Sequence, residues 1–347
     1  MHTERPTVTV LMPVFDGERF LREAIESILA QTYADFEFMI IDDGSTDASL
    51  DIVMSYKDAR IRLLRNERNL GLTASLNRGL ALAKGQYLAR MDADDISLPT
   101  RLARQIALME AHQTVGVCGT WAELRGKESH DVWRYPTDPD LIHAHLLFAS
   151  VLVHASVIMN RTLLEKHQLQ YSPSFVCAQD YELWARAARC FPLANVPEIL
   201  LIHRVHSEQV GQRSAEVQQS WASNVRTSQV QQIVPAPTME ELSIHGALST
   251  WTWSATEEFV AKADMWLQKL SSANDRSRAY PEPALSLVVA ERFLAVCQSV
   301  DPKPGHLFWG SPLSDALDRT WRASINRRVR RGVSYLGLDR IFSGCGL

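Results

Sequence analysis

The 347-residue chain has little cysteine and no cysteine pattern. Cys118, Cys177, Cys190, Cys297 and Cys345 are odd in number, scattered and free of any CxxC pair. That speaks against a disulfide framework or a cysteine-based zinc site and favours a reducing compartment. Neither charge sign dominates: 36 Lys and Arg face 40 Asp and Glu, for a net charge of −4, so nothing overall suggests a nucleic-acid partner. The longest apolar run, LLFASVLVHASVIM from Leu146 to Met159, contains His154 and falls short of the ~20 residues that span a bilayer. It reads as one or two buried strands. The start, MHTERPTVTVLMPVF, carries Glu4 and Arg5 before a strand-like run, unlike a signal peptide, so a cytoplasmic location is expected. GxxxxGK[ST] and GxGxxG are both missing, which leaves an ATPase or a dinucleotide-binding protein without its phosphate cradle. There is no internal repeat and no low-complexity segment.

What is present is ordinary for a soluble protein with a proper core: 46% hydrophobic and 22% charged residues, in one large or two ordinary domains. The first hundred residues alternate. Strand-like TVTVLMPVF, FEFMIIDDGS, IRLLRN and QYLARMD are separated by helix-like GERFLREAIESILAQ, DASLDIVMSYK and GLTASLNRGLALAKG, the last closed by Gly85 as a C-terminal stop. Such alternation predicts a mostly parallel sheet covered by helices, with ligands beyond the carboxyl ends of its strands. RLARQIALMEAH and DYELWARAARC then read as helices, VGVCGTWAEL as a strand and LANVPEILLIHRVH as one or two strands. His143 and His145 suit alternating strand or loop positions and lack further ligand spacing. From Ser214 helical stretches dominate, notably TEEFVAKADMWLQKL and ALSLVVAERFLAVCQSV. The division is therefore into 1–215 and a mainly helical 216–347, with the boundary near 212–220.

The carboxylates stand at the predicted strand ends. Asp92, Asp94 and Asp95 crowd into YLARMDADDISLP, and IIDDGSTD brings Asp42 and Asp43 to the same edge. An isolated DxD is either a solvated loop capping the next helix or a site for a hard divalent cation, whose charge offsets the clustered negatives. Two acidic ends on one rim favour a nucleotide-diphosphate site with Mn2+ or Mg2+.

Taken in order, VTVLMPVFDGERFLREAIESILAQTYADFEFMIIDDGSTDAS, NLGLTASLNRGLALAKGQYLARMDADD, LPTRLARQ, AQDYELWARAA and HRVHSEQ resemble an inverting nucleotide-sugar glycosyltransferase of family 2. The resemblance covers about residues 7–210. It implies an α/β fold of the GT-A type, a Rossmann-like, mostly parallel sheet flanked by helices, followed here by a helical C-terminal region. It further implies that Pro13 and Phe15 form the turn that holds the nucleobase and that Asp43 accepts a hydrogen bond from the base. Glu18 and Asn69 would lie near the nucleoside. Asp94 would bind the metal bridging the diphosphate, Asp92 would face ribose or metal, and His206 would reach the diphosphate or metal. Asp180 would be the catalytic base. Two departures stand out: Gln179 precedes Asp180 where many relatives have Glu, and Phe15 stands where many have Tyr. UDP is the usual donor nucleotide in such enzymes, with dTDP and GDP as alternatives, and the acceptor would be a hydroxyl of a glycan, lipid-linked or other substrate.

The chemistry asks for these parts. An acceptor hydroxyl is a poor nucleophile and needs a base, and the departing diphosphate gathers charge that a cation stabilises. Asp180 stands 86 positions after Asp94, on another element. It could approach from the opposite face of the sugar, which gives inversion; a helix cap ahead of YELWARAA is its plain structural alternative. Trp184, one turn on, either stacks an acceptor sugar or packs in the core, and His154 either enters the site or is a hydrogen-bonded core histidine. Arg204 either contacts phosphate or forms a surface ion pair, and Arg90 balances the acids beside it.

In the C-terminal third, Leu313, Leu317, Trp321, Ile325 and Val329 recur every four residues beside six arginines between Arg319 and Arg331. This basic amphipathic segment, within 311–347, either lies peripherally on an anionic membrane or docks on the protein. Two other functions compete: a sugar nucleotidylyltransferase, whose Gly-rich basic loop after the first strand is lacking here, and a nucleotide-binding scaffold without catalysis, against which intact Asp94 and Asp180 speak.

Overall fold

The computed structural model describes residues 5–126, 130–206, 215–300 and 305–316. They form two compact units: the described residues up to Thr137 with those from Leu152 to Trp221, and Asp138–Val151 with the described residues from Ala222 on. In chain order the elements are β1 (Val8–Val14), α1 (Glu18–Leu29), β2 (Phe36–Asp42), α2 (Ser49–Ser55), β3 (Ile61–Arg65), α3 (Leu72–Leu82), β4 (Tyr87–Arg90), β5 (Ile96–Ser97), α4 (Arg101–Ala111), β6 (Val117–Arg125), β7 (His130–Trp133), α5 (Pro139–His145), β8 (Ile158–Asn160), α6 (Arg161–Lys166), α7 (Gln179–Ala187) and β9 (Leu193–Arg204). Helices α8 (Ala215–Ile233), α9 (Met239–Thr250), α10 (Glu257–Ser277), α11 (Ala284–Val300) and α12 (Gly305–Trp309) follow.

One sheet holds the described strands in the order β3-β2-β1-β4-β8-β6-β9-β5, with β7 on β6. Pairings among β3, β2, β1 and β4, and between β6 and β9, are parallel; β8, β5 and β7 enter antiparallel. The first strands are apolar on both faces because helices cover both. Val8, Val10, Leu11 and Met12 of β1 are fully buried, and α1 contributes Leu21, Ala24, Ile25 and Ile28 to the core.

The order reverses at β1: β2 and β3 lie to one side and β4 to the other. The crevice at such a switch point, beyond the carboxyl ends, is where open α/β sheets bind ligands. Pro13 marks its opening. Leu11 accepts from the Met91 amide at 3.0 Å, whereas Val14 accepts from Asp43 on the β2 side. Odd positions of β1 therefore address β4. β4 ends at Arg90, so Pro13, which has no N–H to donate, comes where no ladder remains to need one.

Three expectations change. Residues 146–159 are buried, but only Ile158–Asn160 is strand; a 3-10 turn at His154–Ser156 and local bonds such as Phe148 N–H to His145 (2.9 Å) shape the rest. His143 and His145 sit on helix α5, which Pro139 starts and Asp138 caps by accepting from the Asp140 and Leu141 amides. Gly85 does not stop α3, which ends at Leu82 with Ala83 extended. A Cβ on Gly85 would lie 2.4 Å from the backbone nitrogen of Thr9, so the glycine serves close approach to β1.

The helical unit buries Trp266, Leu267, Leu270, Phe293 and Phe308. Its polar centre is His245, which donates to the Leu147 carbonyl (3.0 Å) and accepts from the Trp266 indole (3.3 Å). Arg292 lies 4.2 Å over the Phe148 ring. No helix among the described residues is long and apolar enough to cross a membrane. Residues 317–347, which hold the arginines of the basic amphipathic segment, lie outside the described residues.

Candidate active site

The turn after β4 carries the carboxylates, and β9 holds them. Oxygens of Asp92, Asp94 and Asp95 approach within 4.8 Å of one another. Each is restrained differently. Asp92 forms an ion pair with Arg90. Asp94 accepts from His206 Nε2 at 3.0 Å. Asp95 is fully buried and accepts from His203 Nδ1 and the Arg204 amide, both at 3.0 Å. Burial works against a charge on His203, but Asp95 outweighs it and lifts the imidazole to about 9. Asp95 is thus held as a structural anchor, and Asp92 and Asp94, with His206 beside them, remain as a hard oxygen-rich donor set. Such a set fits a divalent ion of the Mg2+ or Mn2+ kind.

The nucleoside candidates lie along β1 and β2. Phe15 follows β1 and is 47% exposed, as a stacking surface requires. Asp43 is buried, and its carboxylate accepts from the Asn66 amide (2.5 Å) and from the Leu70 and Gly71 backbone N–H groups (3.0 and 2.9 Å). These use three of about four acceptor positions, so Asp43 anchors the 66–71 loop and keeps one direction for a base. Asn69 accepts from the Gly71 amide at 2.9 Å and is exposed in that loop. Glu18 is tied into the fold: it accepts from the Ala48 amide at 3.0 Å while its own amide donates to Asp47 at 2.9 Å.

Asp180 is the second residue of α7, not its cap; Ala178 holds that position with φ of 53° and no side-chain bond. The Asp180 carboxyl is partly buried. Burial raises its pKa, against the Tyr181 backbone N–H and the charge of Arg90. The charge of Asp180 acts on Tyr171, which is hydrogen-bonded to His154 at 2.8 Å. Trp184 is wholly buried, 6.1 Å edge-on from His154, and presents no face for a sugar to stack on. His154 is held neutral by burial and Arg90, as a hydrogen-bonded core histidine.

Sequence reasoning missed His203 and singled out Arg204 without the partners that hold it. Arg204 donates to the Asp94 carbonyl at 3.0 Å and pairs with Glu23, and its guanidinium lies 5.0 Å over Phe20. The ion pair expected as one alternative is present, with exposed Glu23, but the arginine that makes it is buried. The His203–Asp95 bond follows from register: Ile96 opposes Ile202 in the antiparallel β5–β9 pair, so Asp95 meets His203. Nothing in the local sequence announces a two-residue strand. The arrangement offers a cation site at a switch point and, on a separate element, a carboxyl tuned toward proton uptake.

The family model described as "Glycosyl transferase family 2" matches residues 9–168. An uncharacterized glycosyltransferase of Haemophilus influenzae is 30% identical over 237 residues, covering 65% of this chain and 73% of that protein. The Escherichia coli UDP-Glc:alpha-D-GlcNAc-diphosphoundecaprenol beta-1,3-glucosyltransferase WfgD is 30% identical over 177 residues, 51% of this chain and 68% of its own length. Among solved structures, S. aureus TarS 1-349 in complex with UDP-GlcNAc has a similar fold, with a TM-score of 0.58 at 18% identity over 94% of this chain and 92% of that one. The nucleotide-sugar glycosyltransferase motifs, the carboxylates gathered at the switch point and these matches agree: the chain belongs to glycosyl transferase family 2.

Proposed function

We propose that this chain moves a hexose from a nucleoside-diphosphate donor, UDP foremost, to a hydroxyl of a glycan or lipid-linked acceptor, with inversion, in the synthesis of a surface polysaccharide or glycoconjugate. The observation that carries the reading is the pairing of two unlike carboxylate groups. Asp92 and Asp94 gather at the switch point, and Asp180, raised by burial, stands on α7 within the field of the same Arg90. UDP is supported by the UDP-GlcNAc bound to TarS and the UDP-Glc in the name of WfgD. The lipid-linked acceptor is supported by the diphosphoundecaprenol in that same name.

In this reading Phe15 stacks on the base and Pro13 shapes the turn beneath it, while Asp43, Asn69 and Glu18 hold the surrounding loops. Asp94, with Asp92 and His206, would hold a divalent ion, which supplies positive charge against the developing diphosphate. Asp180 takes the proton from the acceptor hydroxyl as the hydroxyl oxygen attacks the anomeric carbon. A raised pKa suits a base that must hold that proton. Base and leaving group act from opposite faces of the sugar, which inverts the anomeric centre.

Thermal-shift measurements with UDP, GDP, dTDP and CMP, each with and without Mn2+, test the donor. A ligand that binds the folded state raises the melting temperature by mass action. UDP with Mn2+ is expected to give the largest shift, and no shift with any nucleotide would overturn the reading. Peripheral contact with an anionic membrane through 311–347 belongs to the same proposal, since an acceptor carried on a lipid would be met there. Co-sedimentation with anionic but not neutral vesicles is its readout.

A further inference from the structure

Arg90 has no task in the chemistry above, yet the fold retains it where a guanidinium is costly. It lies on β4, two positions before Asp92, and is 2% exposed. Interior parallel strands are ordinarily apolar, and a buried charge needs a partner. One nitrogen, Nη2, pairs with Asp92, while Nε and Nη1 are buried with no hydrogen-bond partner. The backbone beneath is pinned on both sides: the Arg90 N–H donates to Val157 at 2.8 Å, and its carbonyl accepts from Arg101 Nη1 at 3.1 Å. The charge acts on Asp92 and Asp95 in the turn that follows, and on His154, Tyr171 and Asp180 farther along the chain. His154 and Tyr171 bond one another at 2.8 Å, and Asp92 is the acid with which Arg90 forms an ion pair. Asp94, by contrast, is held by His206.

We propose that Arg90 is a positioning residue for the transfer reaction: by gripping Asp92 from inside the sheet it keeps that carboxylate apart from Asp94, and so fixes the donor end of the site relative to Asp180. This rests on the functional reading above. In this role Arg90 need touch neither donor nor acceptor. Its effect is exerted through Asp92. A side chain that merely satisfied the core would instead act on stability alone.

A double-mutant cycle in the full chain tests this, comparing wild type, Arg90→Met, Asp92→Asn and the double variant. The probes are Mn2+-dependent UDP binding by calorimetry and release of nucleotide from UDP-glucose, UDP-galactose, UDP-N-acetylglucosamine and GDP-mannose. Each single substitution is expected to lower kcat/KM of the best donor by on the order of a hundredfold, the usual result of a displacement near 1 Å. The double variant should fall no further than Asp92→Asn. Should Arg90→Met not fold, Arg90→Lys, which keeps the charge but loses the planar fork, runs through the same cycle with the same expected non-additivity. Losses that multiply in the double variant, or a lowered melting temperature with kcat and KM unchanged, would overturn the inference. Failure of the wild type to bind any nucleotide would overturn the functional reading instead, before the cycle is reached.

Discussion

The proposed function gives two aspartates separate jobs within one site. Asp94 lies against His206 at the carboxylate cluster, and replacing it by Asn removes the charge a divalent ion needs while keeping the side chain's size. Mn2+-dependent nucleotide affinity is expected to fall by at least about tenfold to a hundredfold, since even partners outside the metal's own shell are worth that much. Calorimetric titration reads it, and far-UV dichroism should stay unchanged. In the proposed function Asp180 acts on the acceptor. Asp180→Asn is therefore expected to lower turnover by roughly a hundredfold to ten-thousandfold with nucleotide affinity preserved; loss of both together would move Asp180 into the donor site. The pH dependence follows from the same carboxyl. Its pKa is raised by burial, against the opposing charge of Arg90 and with Asp92 adding to the rise. The base form is thus lost as pH falls through a value above the ordinary aspartate range, and the acid limb of kcat/KM should sit there. The sign for stability is opposite: an acid whose folded pKa is raised binds its proton more tightly when folded, so this group's contribution weakens as pH rises through that range.

At the scale of elements, α3 ties the two halves of the site together. It begins at the 66–71 loop that Asp43 anchors, and its Asn77 both donates to the Tyr171 carbonyl (2.8 Å) and accepts from the Tyr171 amide (3.0 Å). Thr73 donates to the Phe175 carbonyl at 3.1 Å, in the segment leading to α7. The return from α3 to β4 is as tight, because Gly85 passes against β1, and its amide donates to Thr9 Oγ1 at 2.9 Å. Gly85→Ala is expected to cost about 1–3 kcal/mol, the usual range for forcing an extra methyl into a packed interior, and a thermal melt would record it. Most elements were legible in the sequence because their periodicity is strong: α1, α3, α4 and α11 lie where the apolar spacing puts them. The run 146–159 was misread because a short buried apolar stretch has no period to distinguish strand from turn. Gly85 was misread because a helix stop and a close approach both select glycine.

For the molecule as a whole, the helical unit sets an acid limit. His145 is fully buried with both ring nitrogens unpartnered, and His245 is enclosed by Leu147 and Trp266. Burial, reinforced for both by Arg292, lowers each to about 3 from 6.5. The unfolded chain therefore binds more protons than the native one between those values, and stability is lost as pH falls below about 6.5, where unperturbed histidines begin to charge. The melting temperature should drop steadily from pH 7 to pH 4, and His145→Leu should flatten that slope; an unchanged slope would mean that other groups govern it. The sequence by itself determined the alternating sheet, the helical character of the C-terminal third, the family and the carboxylates at the strand ends, because periodicity and strand-end chemistry are local properties. Only the tertiary structure decided what restrains those carboxylates. His203 on Asp95 and His206 on Asp94 are brought together by strand order and by the β5–β9 register; Arg90, whose nearness to Asp92 the sequence already showed, proves to be buried, and the burial that raises Asp180 exists only in the folded chain.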